Sequence, residues 1–331
     1  MLIQKNKVTI VCEMSQTYEG KFDVASKLVG AAIDAKADAI KFQVFKADEL
    51  GTKDYKHYDL FTSLEFTPEQ WGDLIKQAQD GGILAFADVF GLESAQMLIE
   101  KNIDGFKIHP TDIKTPPLLE FLAKSGKPLM LSVGGSHREE IEKAISILNE
   151  NGAKEVVLMH GFQSYPTLVE HTNLNKMSLF KDDFGLPVGF ADHIDGDHSM
   201  RYDLCAMALA MGASVLEKHI TLDRKLKMED YESALDPNDF KDFVERMREL
   251  EGALGEKSLK LTEPEIVYRK STKKHIVAAV DLTAGTVLRE ENIFMKRTVE
   301  EYEFLDREQI VGKTLISELK KDQVVRLDNL K

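Results

Sequence analysis

Residues 186–219 read LPVGFADHIDGDHSMRYDLCAMALAMGASVLEKH, and their pattern is the main evidence for the predicted fold. It holds two short apolar segments around an amphipathic segment of helical length, a pattern typical of two parallel strands joined by a helix. The apolar segments end in polar side chains, the first at Asp192 and His193 and the second at Glu217 and His219. The stretch therefore predicts a parallel sheet that carries chemistry at the carboxyl ends of its strands.

The same alternation recurs through the first 255 residues of the 331-residue chain. Apolar segments that fit strands lie near 7–13, 38–44, 82–88, 104–109, 127–132, 155–160, 186–191 and 214–219. Helical patterns lie between or after them, at 21–36, 67–80, 92–102, 115–124, 137–151, 200–211 and 238–254. This number of repeats matches the size and period of a (βα)8 barrel, although a doubly wound open sheet shows the same alternation.

Polar side chains at the strand ends distinguish between these two folds, because each predicted strand is apolar until its carboxyl end. An open sheet concentrates its ligands at one or two switch points, whereas a closed barrel gathers all its strand ends around one active site. The sequence therefore predicts an α/β fold of the TIM-barrel type over residues 1–255.

The pattern changes after residue 255. Residues 256–272 are polar and indicate a linker, and the short alternating segments of 273–331 predict a small β-rich domain. Acidic and basic residues balance in 273–331, so the formal net charge of −13 lies entirely within residues 1–272.

The acidic balance makes a duplex nucleic-acid partner held by phosphate contacts unfavourable. No apolar run approaches the roughly 20 residues of a membrane span, and the first residues lack the apolar core of a signal peptide. Cys12 and Cys205 are far apart, which fits a reduced protein better than a disulfide framework. We therefore expect a cytoplasmic protein that binds neither nucleic acid nor membrane, and the sequence contains no glycine-rich nucleotide-binding motif.

His193 and His219 end neighbouring predicted strands. Two neutral imidazoles that converge there can hold a divalent ion and leave several of its positions open for water and a carbonyl oxygen. The alternative is that each histidine only forms hydrogen bonds in the barrel mouth. We favour metal binding, because the two residues lie at adjacent strand ends.

Lys41 and Lys107 lie within otherwise apolar strands, where an amine must reach an anion or a carboxylate. Either they clamp a phosphate or carboxylate of the substrate, or they form internal ion pairs with Glu13, Asp88 or Asp112. Glu13 itself is a candidate general base if its pKa is raised, or simply a partner for Lys41. With Lys218, these two lysines are the cations expected to hold an anionic donor.

Several of these runs, taken together and in this order, resemble the sialic acid (N-acetylneuraminate) synthase family. The runs are Val11–Glu13, Ala37–Gln43, Gly126–Pro128, Ser164–Thr167, Gly189–His193 and Glu217–Arg224. The tail, with Leu282–Thr286 and Met295–Arg297, is similar to the antifreeze-like (SAF) domain of that family. The resemblance covers nearly the whole chain and implies a TIM barrel followed by a SAF domain.

The resemblance also implies an activity. Members of the family condense phosphoenolpyruvate with the open-chain aldehyde of an N-acylated mannosamine-type sugar, releasing phosphate and a nine-carbon 2-keto-3-deoxy acid. It implies that His193 and His219 hold Mn²⁺ or Mg²⁺ and that Glu13 transfers a proton. The donor would be held by Lys41, Gln43, Lys107 and Ser132. Further substrate contacts are expected from Asp88, His109, Asp112, Gln163, Tyr165 and Asp230, and Arg297 would reach the partner's barrel in a domain-swapped homodimer.

The departures from the family cluster around the donor. Hydroxyl groups of the family pattern are replaced at Asp88, Pro110 and Ala191. An ionised Asp88 about 6 Å from a bound phosphate would cost roughly 3 kcal/mol per phosphate charge at an effective dielectric near 20. Asp88 is therefore turned away, paired with a lysine or bound to a sugar hydroxyl, or else the donor is not phosphoenolpyruvate.

Three functions remain open on these grounds. The leading hypothesis is metal-dependent condensation of phosphoenolpyruvate with an amino-sugar derivative to a nonulosonic acid. The alternative is a sugar-acid aldolase or isomerase, or a synthase with another donor, on the same barrel. The third is a carbohydrate-binding relative without catalysis.

Overall fold

The computed structural model describes residues 2–4, 7–161, 164–299 and 302–331. The chain divides into two compact units, Met1–Gly255 and Glu256–Lys331. Each unit has a hydrophobic core of its own. No helix among the described residues is long and apolar enough to cross a membrane.

In the described part of the first unit, eight parallel strands form a closed barrel, in which each strand pairs with the next and the last pairs with the first. The strands are β1 (Thr9–Glu13), β2 (Ala39–Val44), β3 (Leu84–Val89), β4 (Gly105–Ile108), β5 (Leu129–Ser132), β6 (Val156–His160), β7 (Val188–Asp192) and β8 (Val215–Ile220). A short ninth strand, β9 (Ala234–Leu235), pairs in parallel with the carboxyl end of β8. The predicted TIM barrel is confirmed.

Helices connect the strands and cover the outside of the barrel. They are α1 (Phe22–Asp34), α2 (Ala47–Leu50), α3 (Tyr58–Leu64), α4 (Pro68–Asp80), α5 (Leu92–Glu100), α6 (Pro116–Lys124), α7 (Arg138–Glu150), α8 (Asn175–Phe184), α9 (Asp203–Ala210) and α10 (Pro237–Leu254). The sequence analysis did not predict α8. That helix fully buries only Met177, so its apolar stripe is too weak to be recognised as an amphipathic pattern.

Strand periodicity separates an apolar layer inside the barrel from the polar layer above it. Val11, Phe86, Met130 and Val215 belong to the inner apolar cluster, which lies below the carboxyl ends of the strands. Side chains two residues further along a strand point to the same face, so the next inward positions carry the polar groups of the mouth. Gly105 leaves space for the Phe86 ring of the apolar layer, because a Cβ at position 105 would collide with that ring.

The second unit is small and rich in short strands and turns. It begins with α11 (Glu263–Thr272), which lies within the segment 256–272 that the sequence assigns to a linker. Two antiparallel strands follow, β10 (His275–Ala278) and β11 (Ile293–Lys296). Its core is formed by Ile276, Ala278, Leu282, Leu288, Ile293, Leu305, Ile310, Leu315, Leu319 and Val325.

Candidate active site

A cavity of about 570 Å³ opens at the carboxyl ends of the barrel strands. It brings together most of the residues that the sequence analysis singles out. These are Glu13, Lys41, Gln43, Asp88, Lys107, His109, Asp112, Tyr165, His193, His219 and Asp230. A TIM barrel places its active site at this face, so the cavity is the candidate active site.

The remaining expected site residues are Ser132, Arg297 and Gln163. Ser132 is buried at the end of β5 and is not part of the described lining. Arg297 follows β11 in the second unit, where its Nε donates to the carbonyl oxygen of Thr272 at 3.1 Å. Gln163 lies outside the described residues.

Register between neighbouring strands places the charged groups of the mouth side by side. Glu13 on β1 pairs with Lys41 on β2, and Asp88 on β3 pairs with Lys107 on β4. Glu217 lies two residues before His219 on β8, so both side chains point into the barrel. The sequence analysis did not include Glu217 among the site residues, although this spacing to His219 is the signal that identifies it.

Lys41 is the centre of a buried ion network. Its Nζ contacts Glu13 Oε2 and Asp88 Oδ2 and lies 3.8 Å from Glu217 Oε1. Lys107 Nζ donates to Glu217 Oε1 at 2.6 Å. The lysines thus form internal ion pairs, and Asp88 is paired with a lysine, one of the arrangements left open by the sequence.

The network shifts the pKa values of its carboxyl groups in opposite directions. Burial raises the pKa of Glu13 to about 8. The negative charges of Glu217 and Asp88 contribute to this rise, and the positive charge of Lys41 offsets only part of it. Burial also acts on Asp88, but Lys41 and Lys107 outweigh it and lower the pKa of that group. These opposite shifts favour the protonated form of Glu13 and the ionised form of Asp88 at neutral pH.

Lys218 does not contribute to this layer, which corrects the expectation that it helps to hold an anionic donor. Its Nζ donates to Asp192 Oδ2 at 2.8 Å, and both side chains are buried. Cys205 of α9 contacts the same carboxylate at 3.6 Å. Because neighbouring residues of a strand point to opposite faces, Lys218 points toward the helices when Glu217 and His219 point inward.

His193 and His219 lie together in the lining of the same cavity, with ring centroids 4.9 Å apart. His193 Nδ1 lies 2.9 Å from the carbonyl oxygen of Ala191 and 3.2 Å from that of Gly161. Since a carbonyl only accepts, the proton is on Nδ1 and the lone pair is on Nε2. His219 Nδ1 is buried and has no hydrogen-bond partner among the described residues.

Both imidazoles are neutral at physiological pH. Burial, reinforced by Lys107, lowers the pKa of His193 to about 4. Burial and the neighbouring His193 lower the pKa of His219 well below its usual value. Two neighbouring neutral imidazoles, of which His219 has a buried nitrogen without a partner among the described residues, fit the donor set of a divalent ion.

The histidine pair is a small donor set. Among the described residues, no group of three or more histidine, cysteine, aspartate or glutamate side chains is arranged to hold an ion. An ion at this pair would therefore leave most of its positions to water and substrate, as an open catalytic site requires.

Asp230 and Tyr165 form the wall beside the histidines. Tyr165 Oη donates to the carbonyl oxygen of Asp230, and its ring lies 6.1 Å from each histidine ring. The backbone N–H of Gln16 donates to Asp230 Oδ2 at 3.3 Å. Asp230 has a φ of 58°, a left-handed conformation that the surrounding loop must hold in place.

Arg224 holds that loop. Its Nη1 donates to the carbonyl oxygens of Tyr231, Glu232 and Ala234 at 2.6, 2.9 and 2.7 Å. Its Nη2 lies 3.0 Å from Asp195, so one buried guanidinium ties two loops of the mouth together.

We expect Arg224→Met to lower the free energy of unfolding by about 2 kcal/mol, because it removes three hydrogen bonds from the guanidinium to carbonyl groups of this loop, including the buried carbonyl of Ala234. Urea unfolding measures this loss. Arg246→Met, which removes an exposed arginine of α10, is the matched control and should stay within about 0.5 kcal/mol of the parent. An equal loss in both variants would contradict the role assigned to Arg224.

The sequence matches the NeuB family over residues 28–259 and the SAF domain over residues 274–331. The chain is 31% identical to N,N'-diacetyllegionaminic acid synthase of Campylobacter jejuni, with 97% of this chain and 99% of that protein covered. It is 33% identical to an uncharacterized protein of Methanocaldococcus jannaschii, covering 97% and 94% of the two chains. The crystal structure of the N-acetylneuraminic acid synthetase of Leptospira borgpetersenii, in complex with citrate, is 31% identical and aligns with a TM-score of 0.75, over 82% of this chain and 94% of that one. The predicted family resemblance and the predicted SAF domain are both confirmed.

Proposed function

The chain belongs to the NeuB family, and on that premise we propose that it condenses phosphoenolpyruvate with the open-chain aldehyde of an N-acylated hexosamine. One water molecule is consumed as the phosphate leaves C2 of the donor, and the products are inorganic phosphate and a nine-carbon 2-keto-3-deoxy acid, a nonulosonic acid. The observation that carries this proposal is the placement of the Glu13, Lys41 and Lys107 network and the His193–His219 pair around one cavity. The protein is an enzyme, so we set the non-catalytic alternative aside.

In this proposal His193 and His219 hold a divalent ion, Mn²⁺ or Mg²⁺. When bound, the ion supplies a Lewis acid for the aldehyde oxygen of the acceptor. Lys41 and Lys107 hold the anionic groups of the donor, and Gln43 lies next to them in the same cavity. Asp230, whose carbonyl oxygen accepts a hydrogen bond from Tyr165, lines the part of the cavity assigned to the acceptor.

Glu13 is the proton-transfer residue of this mechanism. Its raised pKa means that the resting enzyme holds a proton on Glu13 at neutral pH, which suits a general acid better than the general base considered from the sequence. The proton would go to the aldehyde oxygen, which gains negative charge as the new carbon–carbon bond forms.

We therefore expect kcat/KM to fall as the pH rises through about 8, where Glu13 loses its proton. Glu13→Gln cannot donate a proton, so it should lower kcat by about 10²-fold and remove this limb of the pH profile. A profile between pH 6 and 9.5 for both proteins measures the effect. An unchanged alkaline limb in Glu13→Gln would assign the titration to another group.

The acceptor belongs to the N-acetylated amino sugars, and the relatives' names include both legionaminic and neuraminic acid synthases. The direct test incubates the full chain with Mn²⁺, phosphoenolpyruvate and a panel of N-acetylmannosamine, its 6-phosphate and diacetamido-trideoxyhexoses. Release of inorganic phosphate that depends on both the sugar and the donor supports the proposal. Absence of release across the whole panel would refute it.

A synthase with a different donor, or a sugar-acid aldolase or isomerase, is the second candidate. The contact of Asp88 with Lys41 favours this candidate, because the carboxylate of Asp88 already contacts a lysine that the first proposal assigns to the phosphorylated donor. A thermal shift with a sugar acid and none with phosphoenolpyruvate would select this candidate.

Membership of the family also leads us to propose a domain-swapped homodimer in which Arg297 reaches the partner's barrel. The mass of the protein in solution tests the dimer.

A further inference from the structure

The charges that line the mouth are dominated by carboxylates. Among the described residues of the cavity, only Lys41 and Lys107 carry amines. The carboxyl groups of the same lining are those of Glu13, Glu49, Asp88, Asp112, Glu217 and Asp230. An anionic ligand therefore enters a site whose formal charge is negative, even when Glu13 is counted as protonated.

Asp88 is the ionised carboxylate that directly contacts Lys41, one of the two amines assigned to the donor. Its Oδ2 contacts Lys41 Nζ, and both side chains are almost completely buried. Its Oδ1 is also buried and has no hydrogen-bond partner among the described residues. Asp88 is thus fixed on one side by Lys41 and presents an unpartnered anionic oxygen within the lining of the cavity.

The other carboxylates stand in a different relation to the lysines. Glu217 lies 3.8 Å from Lys41 and is held by Lys107, and the raised pKa of Glu13, which also contacts Lys41, favours its neutral form. Asp112 accepts hydrogen bonds from Thr111 and Thr115 and makes no described contact with either amine. Asp88 is therefore the ionised group that a phosphate bound at Lys41 would meet at closest range.

We propose that Asp88 is a specificity-determining residue that acts as an internal counter-anion of Lys41 and competes with the phosphate of the donor for that amine. This inference rests on the proposed function for the assignment of Lys41 to the donor. Binding of a phosphorylated donor exchanges the Lys41–Asp88 contact for a Lys41–phosphate contact, and the charge of Asp88 then opposes the bound phosphate. The site consequently binds phosphorylated donors weakly and favours ligands whose hydrogen-bond donors can face Asp88 Oδ1.

Asp88→Asn tests this inference, because it removes the charge and keeps the shape of the side chain. We expect the variant to bind inorganic phosphate and phosphoenolpyruvate at least tenfold more tightly than the parent, which corresponds to about 1.4 kcal/mol. Calorimetric titration of the full chain in the presence of a chelator measures both ligands without contribution from an ion. Thermal melting of each protein shows whether it is folded under the same conditions.

Two further variants keep the outcome decisive. Asp80→Asn removes the same formal charge from an exposed position of α4 and should leave the affinity unchanged. Asp88→Thr removes the charge with a smaller side chain and should also tighten phosphate binding. It provides the test if Asp88→Asn folds poorly.

Affinity that is unchanged or weaker in folded Asp88→Asn and Asp88→Thr would overturn the inference and show that Asp88 only orients Lys41. Failure of the proposed function is distinguishable from this result. In that case no sugar of the panel supports turnover, yet the phosphate affinity still rises in the Asp88 variants.

Discussion

His219→Ala is expected to abolish binding of Mn²⁺ and to lower kcat/KM by at least about 10³-fold under the proposed mechanism. The histidine pair supplies the two imidazoles of the donor set, and its rings lie 4.9 Å apart on neighbouring strand ends. Removal of one imidazole leaves a single neutral nitrogen, which cannot retain an ion at catalytic concentrations. Titration of the folded variant with Mn²⁺, followed by paramagnetic resonance of the free ion, measures the loss directly.

The matched control is His171→Ala, which removes an exposed histidine that does not line the cavity in the described structure. It should bind Mn²⁺ as the parent does and retain its activity. Undiminished Mn²⁺ affinity in His219→Ala would remove that residue from the ion site, whatever its effect on turnover.

Lys41→Met is expected to lower the free energy of unfolding by about 3–5 kcal/mol and to inactivate the enzyme. The amine contacts Glu13 and Asp88, and its side chain is only 1% exposed. Removing one partner of a buried ion pair leaves the other charge without compensation, and this loss exceeds the net value of the pair itself. Urea unfolding at pH 7 gives the change in free energy.

The pH dependence of that loss has a definite sign. In the parent protein the lowered pKa of Asp88 stabilises the fold at pH values above the usual aspartate range, and this contribution disappears as the pH falls through the folded pKa. Lys41→Met lacks this contribution, so the difference between the two proteins should shrink in acid. A difference that stays constant as the pH is lowered from 7 to below the usual aspartate range, to about pH 2, would contradict the assignment.

Two further proteins isolate the ion pair. Lys41→Met combined with Asp88→Asn should recover part of the lost stability, because one uncompensated charge is removed together with the lysine. Lys76→Met breaks an exposed pair with Asp80 on α4 and should change the stability by no more than about 0.5 kcal/mol. Additive losses in the double variant would show that Lys41 and Asp88 do not interact energetically.

Much of the site could be predicted from the sequence because strand period and strand ends are local properties. Glu13, Lys107 and His219 each end an apolar segment, and the barrel gathers such ends at one face. Glu217 was missed although its spacing to His219 places it inward, and only its pairing with Lys107, 110 positions away along the chain, required the fold. Lys218 was wrongly expected to face the donor, although its place between Glu217 and His219 already assigns it to the opposite face of β8.

The repeating strand–helix pattern could be predicted from the sequence alone, as could the TIM barrel with its small C-terminal domain, the family and the kinds of side chain at the mouth. These follow from periodicity and from motifs that are contiguous in the chain. The fold was needed to establish which charges neutralise one another, since Lys41 and Asp88 are 47 residues apart and meet only because β2 and β3 are neighbours in the barrel. Electrostatic energy depends on distance and burial, which composition does not contain. For this reason the net acidity of the chain was evident from the sequence, whereas the pairing of Asp88 with Lys41 required the fold.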